Sequence, residues 1–537
     1  MSAPISITPL SPPESVAGPS SGRSRGSGSK TVAVLGASYG GARAAKLLSQ
    51  GLPEGWRLVV IDRNSHMNHV YVFPRFTVIP THAPKAYIPY VNHLEREHPG
   101  SASSKTPLTP PSTPPPTSGS LPFTRKEMHD PHTWVQGMIT SLTPRSVTFR
   151  RIPSAPTRRG SGSESGSITA SASSAAWNEF TSFEGEEETI QFDYALYALG
   201  AGLPDPVNVW KPAYGADSPG DFELSPGSKR CGVRFMEKQA AQMEMAKRIL
   251  IVGAGALGIQ YATDLKEIYP EKDITLLHSR LRLMSLYPIE MHVAIVENLE
   301  KLGIHVVLGE RVVTWPDNPG CVDGEEKHVT TDKGRDFKAD LVLVCTGQKP
   351  HVSLMAAMSP SSISPLTNRI RVLPTMQISP GPIRPAVTRA NTVERLGALS
   401  LHALPTPPSS ASSIEDLDRK ASGGQEGEAE HPDMSHFFAV GDCAETGAIQ
   451  AGHTAYWQAE VAARNILRMI RADEEDKEVE ELEEYKVSVP SIKVTLGMKT
   501  AVVANAEGVQ VKHDGVEDLQ ALIMWPGFQA DHMDVHA

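Results

Sequence analysis

The chain has 537 residues, a formal net charge of -10 and 40% hydrophobic residues. A chain of this length has room for two or three domains, each with a buried core. The acidic balance argues against a nucleic-acid-binding protein, which needs a basic surface. No apolar run approaches the ~20 residues that a transmembrane helix requires, so we expect no membrane span.

The only cysteines are Cys231, Cys321, Cys345 and Cys443, and no two of them are close in sequence. This spacing argues against a thiolate metal site or a redox dithiol, so we expect isolated core thiols and no metal. It is also typical of a reducing compartment. We therefore expect the cytoplasm, while a mitochondrial or membrane-peripheral location stays open.

Four segments are rich in Ser, Pro or Gly and interrupt the pattern expected of a folded chain. One precedes the first apolar run, and the other three lie inside the chain. Segments of this composition bury too little apolar surface to fold. We expect disorder at 1–29 and disordered surface insertions near 99–121, 153–176 and 405–432.

A glycine-rich loop follows a β-branched run near the start of the expected folded chain, and a helical pattern follows the loop. This arrangement is typical of dinucleotide binding, because the first free N–H groups of the helix face a pyrophosphate. Ser38 replaces the middle glycine of the usual G-x-G-x-x-G pattern, and its hydroxyl could donate to a phosphate. Asp62 ends the next strand, where a carboxylate can accept both ribose hydroxyls of an adenosine. The candidate contacts in the loop are Gly36, Ser38, Tyr39, Gly40 and Gly41.

A second glycine-rich loop later in the chain has the complete pattern. The strand that follows it ends in His278-Ser279-Arg280, where an NAD-specific site usually carries an acid. Without a carboxylate a 2′-phosphate is not repelled, and Arg280 or Arg282 could pair with it. We therefore expect NADPH to be used at least as readily as NADH, unless Arg280 is only a surface residue. The candidate contacts in this loop are Gly253, Gly255, Ala256, Leu257 and Gly258.

Three further apolar strands each end in a turn that contains glycine. The turns are at Gly200, at Thr346-Gly347 and at Gly441-Asp442. An acid in the third turn could hold a ribityl hydroxyl of a flavin, and the helical pattern at 453–470 would then point its N-terminus toward that flavin. Gly200, Gly441 and Asp442 are therefore candidates for the first nucleotide, and Thr346 and Gly347 for the second.

Apolar strands alternate with helices along most of the chain, which is typical of parallel sheets of the doubly wound type. We expect an α/β fold with two Rossmann-like dinucleotide-binding domains and a small C-terminal segment. The expected FAD-binding domain is discontinuous, at 30–235 and 348–471, and the NAD(P)H-binding domain at 236–347 is inserted into it. The C-terminal segment covers 485–537.

Together these residues resemble the two-dinucleotide-binding flavoprotein superfamily in their order and spacing. Within it, the chain is most similar to the apoptosis-inducing-factor-like group that includes the ferroptosis-suppressor protein, and to its fungal members in particular. The stretches that carry this similarity are at 68–75, 85–90, 275–280 and 455–458. The similarity as a whole extends over about residues 30–98, 122–152, 177–400 and 434–510.

The resemblance implies noncovalently bound FAD and an NAD(P)H-dependent reductase activity, often on quinones. It implies that Arg75 and Lys85 reach the FAD phosphates, although both could be ordinary surface charges. His69 would lie near the flavin, or else in the core as a hydrogen-bonded histidine. Gln260 stands where related quinone reductases often carry Glu, which leaves the nicotinamide contact open.

A reaction that the cofactors carry needs no nucleophile or acid–base dyad, so we expect no catalytic side chain. The disulfide reductases of the superfamily carry C-x4-C after the first loop, and residues 42–56 hold no cysteine. Thiol–disulfide exchange at that place is therefore excluded. We expect electrons to pass to a small acceptor, with a quinone as the first choice. The alternatives are a reductase of a protein electron carrier and a slow-turnover nucleotide-sensing or death-signalling binding protein.

The region 485–527 is expected to form a small third element. In related enzymes such a segment covers the flavin edge and can touch a membrane or a second subunit, which would bring Lys499 near the site. Alternatively, the segment simply completes the core. The sequence leaves the oligomeric state open.

Overall fold

The computed structural model describes residues 30–90, 94, 132–152, 186–211, 227–381 and 433–536. The segments expected to be disordered, at 1–29, 99–121, 153–176 and 405–432, lie outside the described residues. Within the described ranges, none of the helices combines the length and the apolar content of a membrane span.

A seven-stranded sheet carries the first glycine-rich loop. Its first five strands are parallel to one another, and its last two fold back as antiparallel neighbours. The central strands are buried on both faces, which explains their unbroken apolar sequences. In sheet order the strands are β19 (Phe437–Ala439), β8 (Tyr194–Tyr197), β1 (Lys30–Leu35), β2 (Trp56–Asp62), β5 (Thr133–Leu142), β6 (Ser146–Arg151) and β7 (Glu187–Gln191).

A four-stranded parallel sheet carries the second glycine-rich loop, and a three-stranded antiparallel sheet comes from the same stretch of chain. All seven strands fall between β8 and β19 in the sequence, so this unit is inserted into the chain of the first. The parallel strands are β12 (His305–Leu308), β11 (Asp273–His278), β10 (Arg248–Val252) and β16 (Leu341–Val344). The antiparallel strands are β13 (Val312–Thr314), β14 (Lys327–Thr331) and β15 (Asp336–Ala339).

The described residues form seven α-helices. The first and the last pack against each other beside the seven-stranded sheet. The last helix is longer than the expected 453–470, because its acidic C-terminal turn continues the helix. The helices are α1 (Tyr39–Gly51), α2 (Phe73–Val78), α3 (Lys229–Met245), α4 (Ala256–Ile268), α5 (Ile289–Lys301), α6 (Ser353–Met358) and α7 (Gly452–Glu475).

Short strand pairs complete the two units. The chain leaves the first sheet through one strand and returns through another, and these two strands pair with each other in antiparallel fashion. They are β9 (Ala201–Gly202) and β17 (Lys349–Pro350). The other pairs are β3 (His66–Asn68) with β4 (Tyr87–Pro89), and β18 (Ile370–Arg371) with β20 (Ala444–Glu445). This topology confirms the expected α/β class, while the residue boundaries given for the two domains stay predictions.

The C-terminal segment is a three-stranded antiparallel sheet followed by a 3-10 helix, Ala521–Phe528. Val494 and Val502 belong to the same buried core as Ile251 of β10. Trp525 is buried, and its Nε1 donates to the carbonyl of Lys85 at 3.1 Å. The segment therefore completes the core, the simpler of the two expectations. Its strands are β21 (Ile492–Thr495), β22 (Ala501–Asn505) and β23 (Gly508–Lys512).

A buried ion pair joins the first unit, the inserted unit and the C-terminal segment. Arg75 of α2 donates to both carboxylate oxygens of Asp264 on α4, at 2.7 and 2.8 Å. It also donates to the carbonyls of Gly497 and Glu517 in the C-terminal segment. The two charged side chains are 1% and 0% exposed. Because the guanidinium is satisfied only by this set of partners, the pair fixes how the three parts meet.

Replacing Asp264 by Asn leaves the buried Arg75 charge without a counter-charge. We expect Asp264→Asn to lower the free energy of unfolding by about 3–5 kcal/mol, the usual cost of breaking a buried ion pair. Denaturant unfolding measures this directly. The matched control is Asp518→Asn, which removes the half-buried pair with Lys85 at 2.8 Å and should cost about 1 kcal/mol or less. Equal losses for the two variants would contradict a special role for the buried pair.

Candidate functional site

A cavity of about 370 Å³ opens where the strands of the first sheet end. The glycine-rich loop forms one wall, and the turns after β8 and β19 and the start of α7 form others. The structure thus brings together most of the residues expected to hold the first nucleotide. The lining includes Gly36, Ser38, Tyr39, Gly40, Asp62, Gly200, Gly441 and Asp442.

The glycines of the first loop are required by the backbone. Gly36 has a φ of +90°, which non-glycine residues rarely adopt. A Cβ on Gly41 would lie 1.8 Å from the carbonyl oxygen of Gly36. Helix α1 can therefore approach β1 this closely only because residue 41 has no side chain. The same approach directs the first N–H groups of α1 at the cavity.

Asp62 is held at the rim of the cavity by backbone and side-chain donors. The N–H of Ala37 donates to its Oδ2 at 2.6 Å, and Asn64 donates to its Oδ1 through both its backbone N–H and its side chain. Burial raises the pKa of the Asp62 carboxyl, while the hydrogen bonds from Asn64 and Ala37 oppose that rise. The carboxylate is thus fixed in place next to the loop, with lone pairs left for further donors.

The opposite end of the cavity is formed by the turn after β19 and the start of α7. Burial raises the pKa of Asp442, and the charge of Arg369 opposes this. The N–H of Gly441 donates to Oε1 of Gln458 at 2.8 Å, which anchors the turn on α7. A Cβ on Gly452, the first residue of α7, would overlap the ring of Tyr39. The N-terminus of α7 therefore lies directly against the first loop.

Two residues expected at the FAD phosphates lie elsewhere. Arg75 is buried in the ion pair with Asp264, and Lys85 pairs with Asp518 at 2.8 Å. Neither lines the described cavity. Both side chains are paired with acids of α4 or of the C-terminal segment, so their positive charges link these parts of the chain and do not line the cavity. His69 is buried in the core and stacks on Tyr71, as the alternative expected, but its Nδ1 has no hydrogen-bond partner among the described residues.

The second loop repeats the backbone geometry of the first. Gly253 has a φ of +105°, and a Cβ on Gly258 would lie 1.9 Å from the carbonyl oxygen of Gly253. A Cβ on Gly255 would meet nothing within 4 Å, so the start of α4 is open for a ligand. Thr346, at the end of β16, has its methyl group beside Gly253. Ala256 and Leu257 form the first turn of α4, and Gly347 follows Thr346.

A histidine takes the place in the second loop that Asp62 has in the first. The N–H of Ala254 donates to Nδ1 of His278 at 3.2 Å, just as the N–H of Ala37 donates to Asp62. Burial, with the charge of Arg280 beside it, lowers the pKa of His278, so the imidazole is neutral at pH 7. Because Nδ1 accepts the hydrogen bond, Nε2 carries the proton and is a donor.

Arginine side chains lie just past His278. Arg280 is exposed, and its Nη1 donates to Ser285 Oγ at 3.1 Å. Arg282 donates to the carbonyl of Tyr287 and is thereby tied back to its own turn. Arg280 is thus the more accessible of the two candidates for a 2′-phosphate.

Gln260 is covered by the C-terminal segment. Its Nε2 donates to Thr495 Oγ1 at 3.0 Å, and the side chain is buried. Lys499, the tentative residue of that segment, is exposed.

Comparison with known proteins agrees with this geometry. The chain matches the model of the pyridine nucleotide-disulphide oxidoreductase family over residues 30–378. It is 32% identical to Fe-regulated protein 8 of Mycosarcoma maydis over 501 residues, which is 92% of this chain and 94% of that protein. The chain belongs to the pyridine nucleotide-disulphide oxidoreductase family.

Other known proteins match a shorter part of the chain. Ferroptosis suppressor protein 1 of Homo sapiens is 33% identical over 165 residues, which cover 30% of this chain and 40% of that protein. The FAD-dependent oxidoreductase FVFD30 of Flammulina velutipes is 28% identical over 30% of this chain and 47% of that protein. The solved structure of reduced CoADR-RHD from Bacillus anthracis has a TM-score of 0.51 at 13% identity, covers 89% of this chain and 61% of its own, and supports the fold alone. The resemblance to the flavoprotein superfamily is confirmed, and with it FAD and NAD(P)H as the nucleotides of the family.

The family name includes disulphide reduction, but the described cysteines do not form a redox pair. All four are free. Cys443 is the one beside the cavity, and its Sγ lies 3.3 Å from the carbonyl oxygen of Val440. Burial raises the pKa of this thiol to about 12, so it is neither a thiolate nor a nucleophile at neutral pH. In the described part of the chain, no cluster of His, Cys, Asp and Glu could hold a metal ion.

The cavity also has walls that the sequence patterns did not identify. Arg63 and Asn64 directly follow Asp62, and their position beside the expected ribose acid was the available signal. Other walls come from β5, from the chain around β17 and from α6. These elements are distant in sequence from the loop, and only tertiary packing brings them to the cavity. These further lining residues include Gly137, Met138, Ile139, Gln348, His351, Ser353 and Leu354.

A methyl group at residue 41 should separate α1 from β1. We expect Gly41→Ala to destabilise the fold by about 1–3 kcal/mol, as overpacking does, and to reduce the flavin retained after purification. Denaturant unfolding and the flavin-to-protein absorbance ratio measure the two effects. Gly527→Ala is the control, because a Cβ there meets nothing within 4 Å. Flavin retention equal to wild type in Gly41→Ala would contradict this account of the loop.

Proposed function

We propose that the chain is an FAD-dependent NAD(P)H oxidoreductase that passes electrons to a small acceptor, and that this acceptor is a quinone. The observation that carries the proposal is the pair of matching glycine-rich loops, one with Asp62 and the other with His278 at the same backbone contact. Two such loops are suited to two nucleotides with different adenosine ends. Membership of the family and the name of the FAD-dependent relative support the assignment of FAD to the first loop.

The residues of the first cavity fit the parts of FAD in order. Asp62 would accept the ribose hydroxyls of the adenosine, and the first N–H groups of α1 would donate to the pyrophosphate. Asp442 would hold a ribityl hydroxyl, and the N-terminus of α7 would face the flavin ring. When bound, FAD supplies hydride acceptance from the nicotinamide and electron release to the acceptor. The protein's task is therefore orientation and exclusion of water.

The second loop favours NADPH as the electron donor. Asp62 would repel a 2′-phosphate and accept two ribose hydroxyls, whereas neutral His278 offers an Nε2 donor and carries no negative charge. Arg280 supplies a positive charge close by, with its guanidinium exposed. Charge-assisted hydrogen bonds from a guanidinium to a phosphate are among the stronger polar contacts. Use of NADPH at least as readily as NADH follows from this arrangement.

The acceptor is proposed from the family resemblance and from chemistry. With no redox dithiol beside the cavity, a disulfide is a poor acceptor, and a quinone can take two electrons directly from a flavin. A protein electron carrier is the second candidate, and the exposed acidic stretch at 473–484 favours it as a surface for a basic partner. Free thiols at all four cysteines agree with a reducing compartment, and we propose the cytoplasm.

The acceptor proposal is tested by following NADPH oxidation with purified protein. We expect the protein to be yellow and to oxidise NADPH rapidly when a soluble quinone is supplied, and slowly with cytochrome c or oxygen. Rapid reduction of cytochrome c that is suppressed by salt, together with slow quinone reduction, would instead indicate that the acceptor is a protein electron carrier. A yellow protein with negligible turnover on every acceptor would favour a nucleotide-sensing or death-signalling binding protein.

The nucleotide preference is tested by two substitutions in the second loop. Removal of the exposed guanidinium in Arg280→Ala should raise the KM for NADPH roughly tenfold or more and leave that for NADH nearly unchanged. His278→Asp should shift the preference to NADH, because a carboxylate repels the 2′-phosphate. The matched control for the loss of a positive charge is Arg234→Ala, which removes an exposed arginine on α3. A wild-type protein with a large preference for NADH would refute the assignment.

A further inference from the structure

Arg63 is a charged residue of the FAD cavity that none of the interactions described so far accounts for. It lines the cavity directly after Asp62. Among the described residues no carboxylate forms an ion pair with it, and the neighbouring Asp62 is the one acid whose charge acts on it. Burial lowers the pKa of the guanidinium, which reflects the cost of holding a cation there without a close counter-charge. Such a position calls for a ligand group that a guanidinium can contact.

The guanidinium of Arg63 lies over an indole ring. Its central carbon lies 4.5 Å from the ring centroid of Trp210, within the range of cation–π contacts. Trp210 is itself fixed, because its Nε1 donates to Oδ1 of Asn64 at 2.9 Å, and Nδ2 of Asn64 donates to Asp62. The carbonyl of Arg63 accepts from Gln136 on the neighbouring strand. The orientation of the guanidinium is therefore tied to that of Asp62.

Apolar side chains are among the residues that line the cavity together with Arg63. In the pairing of β2 with β5, Asp62 lies opposite Gln136, so Met138 and Ile139 come just beyond Arg63 along the neighbouring strand. Both line the cavity, as does Leu354 of α6. His351, the other ring on this side, is neutral at pH 7, because burial and the charge of Arg63 lower its pKa to about 4. A planar cation with apolar side chains in the same cavity can stack on a flat aromatic base.

We propose that Arg63, supported by Trp210, is the platform on which the adenine ring of FAD stacks, and that this platform makes the cavity prefer FAD to flavins that lack adenine. The inference rests on the proposed function, since it takes FAD to be the occupant of the first cavity. Asp62 then holds the ribose while Arg63 holds the base, and Asn64 couples the two side chains. Arg63 is a binding residue that the glycine-loop pattern does not contain.

Flavin and nucleotide titrations of the full-length apoprotein test the platform without measuring turnover. The probes are FAD, FMN and ADP, with binding followed by flavin fluorescence and by competition. We expect Arg63→Met to weaken FAD and ADP binding by about tenfold each and to leave the weak FMN binding unchanged. Arg63→Lys should lose nearly as much, because an ammonium does not provide a planar stacking surface. Arg57→Met is the matched control at the other end of β2, where the arginine donates to Thr31 Oγ1.

The outcomes separate this inference from the proposal on which it rests. A wild-type protein that takes up no FAD would defeat the proposed function itself. If the wild type binds FAD and Arg63→Met binds ADP as tightly as the wild type does, only the platform is overturned. Full recovery of affinity in Arg63→Lys would also overturn the platform, because it would point to a phosphate contact. If Arg63→Met is unstable in thermal melting, competition between ADP and FAD for the wild-type protein replaces the variant as the test of the platform. ADP should slow FAD uptake markedly, and failure of ADP to compete would overturn the platform.

Discussion

The absence of a side chain at two glycines sets the geometry on which the two nucleotide sites depend. A Cβ at Gly41 or Gly258 would lie under 2 Å from the carbonyl oxygen of the glycine that opens the same loop. Each helix can therefore start directly on its strand and direct its free N–H groups at a ligand. The residues that distinguish the two sites, Asp62 and His278, are placed by hydrogen bonds from the loops themselves. One constraint thus serves two different adenosine ends.

The relative position of the two sites depends on packing between units distant in sequence. The Arg75–Asp264 pair joins α2 to α4, and the C-terminal segment accepts hydrogen bonds from the same guanidinium. One turn earlier on α4, Gln260 donates to Thr495 of that segment. Because these contacts are buried, they resist relative movement of the loops. This supports the proposal that the nicotinamide and the flavin meet in a fixed geometry.

The sequence was most informative where backbone sterics dictate the residue. The first glycine loop, the strand-end acid at Asp62 and the Gly441-Asp442 turn could be identified from spacing, and the structure brings them to one cavity. The positions of long charged side chains are harder to predict from the sequence, because tertiary packing sets their partners. Arg75 and Lys85 pair with distant acids, while Arg63 faces the cavity. The 3-10 helix at Ala521–Phe528 was also missed, since it has no amphipathic period for a pattern to detect.

We propose that one chain holds a flavin and a reduced nicotinamide nucleotide in separate sites arranged for hydride transfer. The most direct test is anaerobic mixing of the purified, flavin-loaded protein with NADPH while the flavin absorbance is recorded. We predict loss of the oxidised flavin spectrum with one equivalent of NADPH per flavin, and its return on addition of a quinone. A colourless protein that cannot be reconstituted with FAD, or a bound flavin that stays oxidised with both NADPH and NADH, would rule out this arrangement.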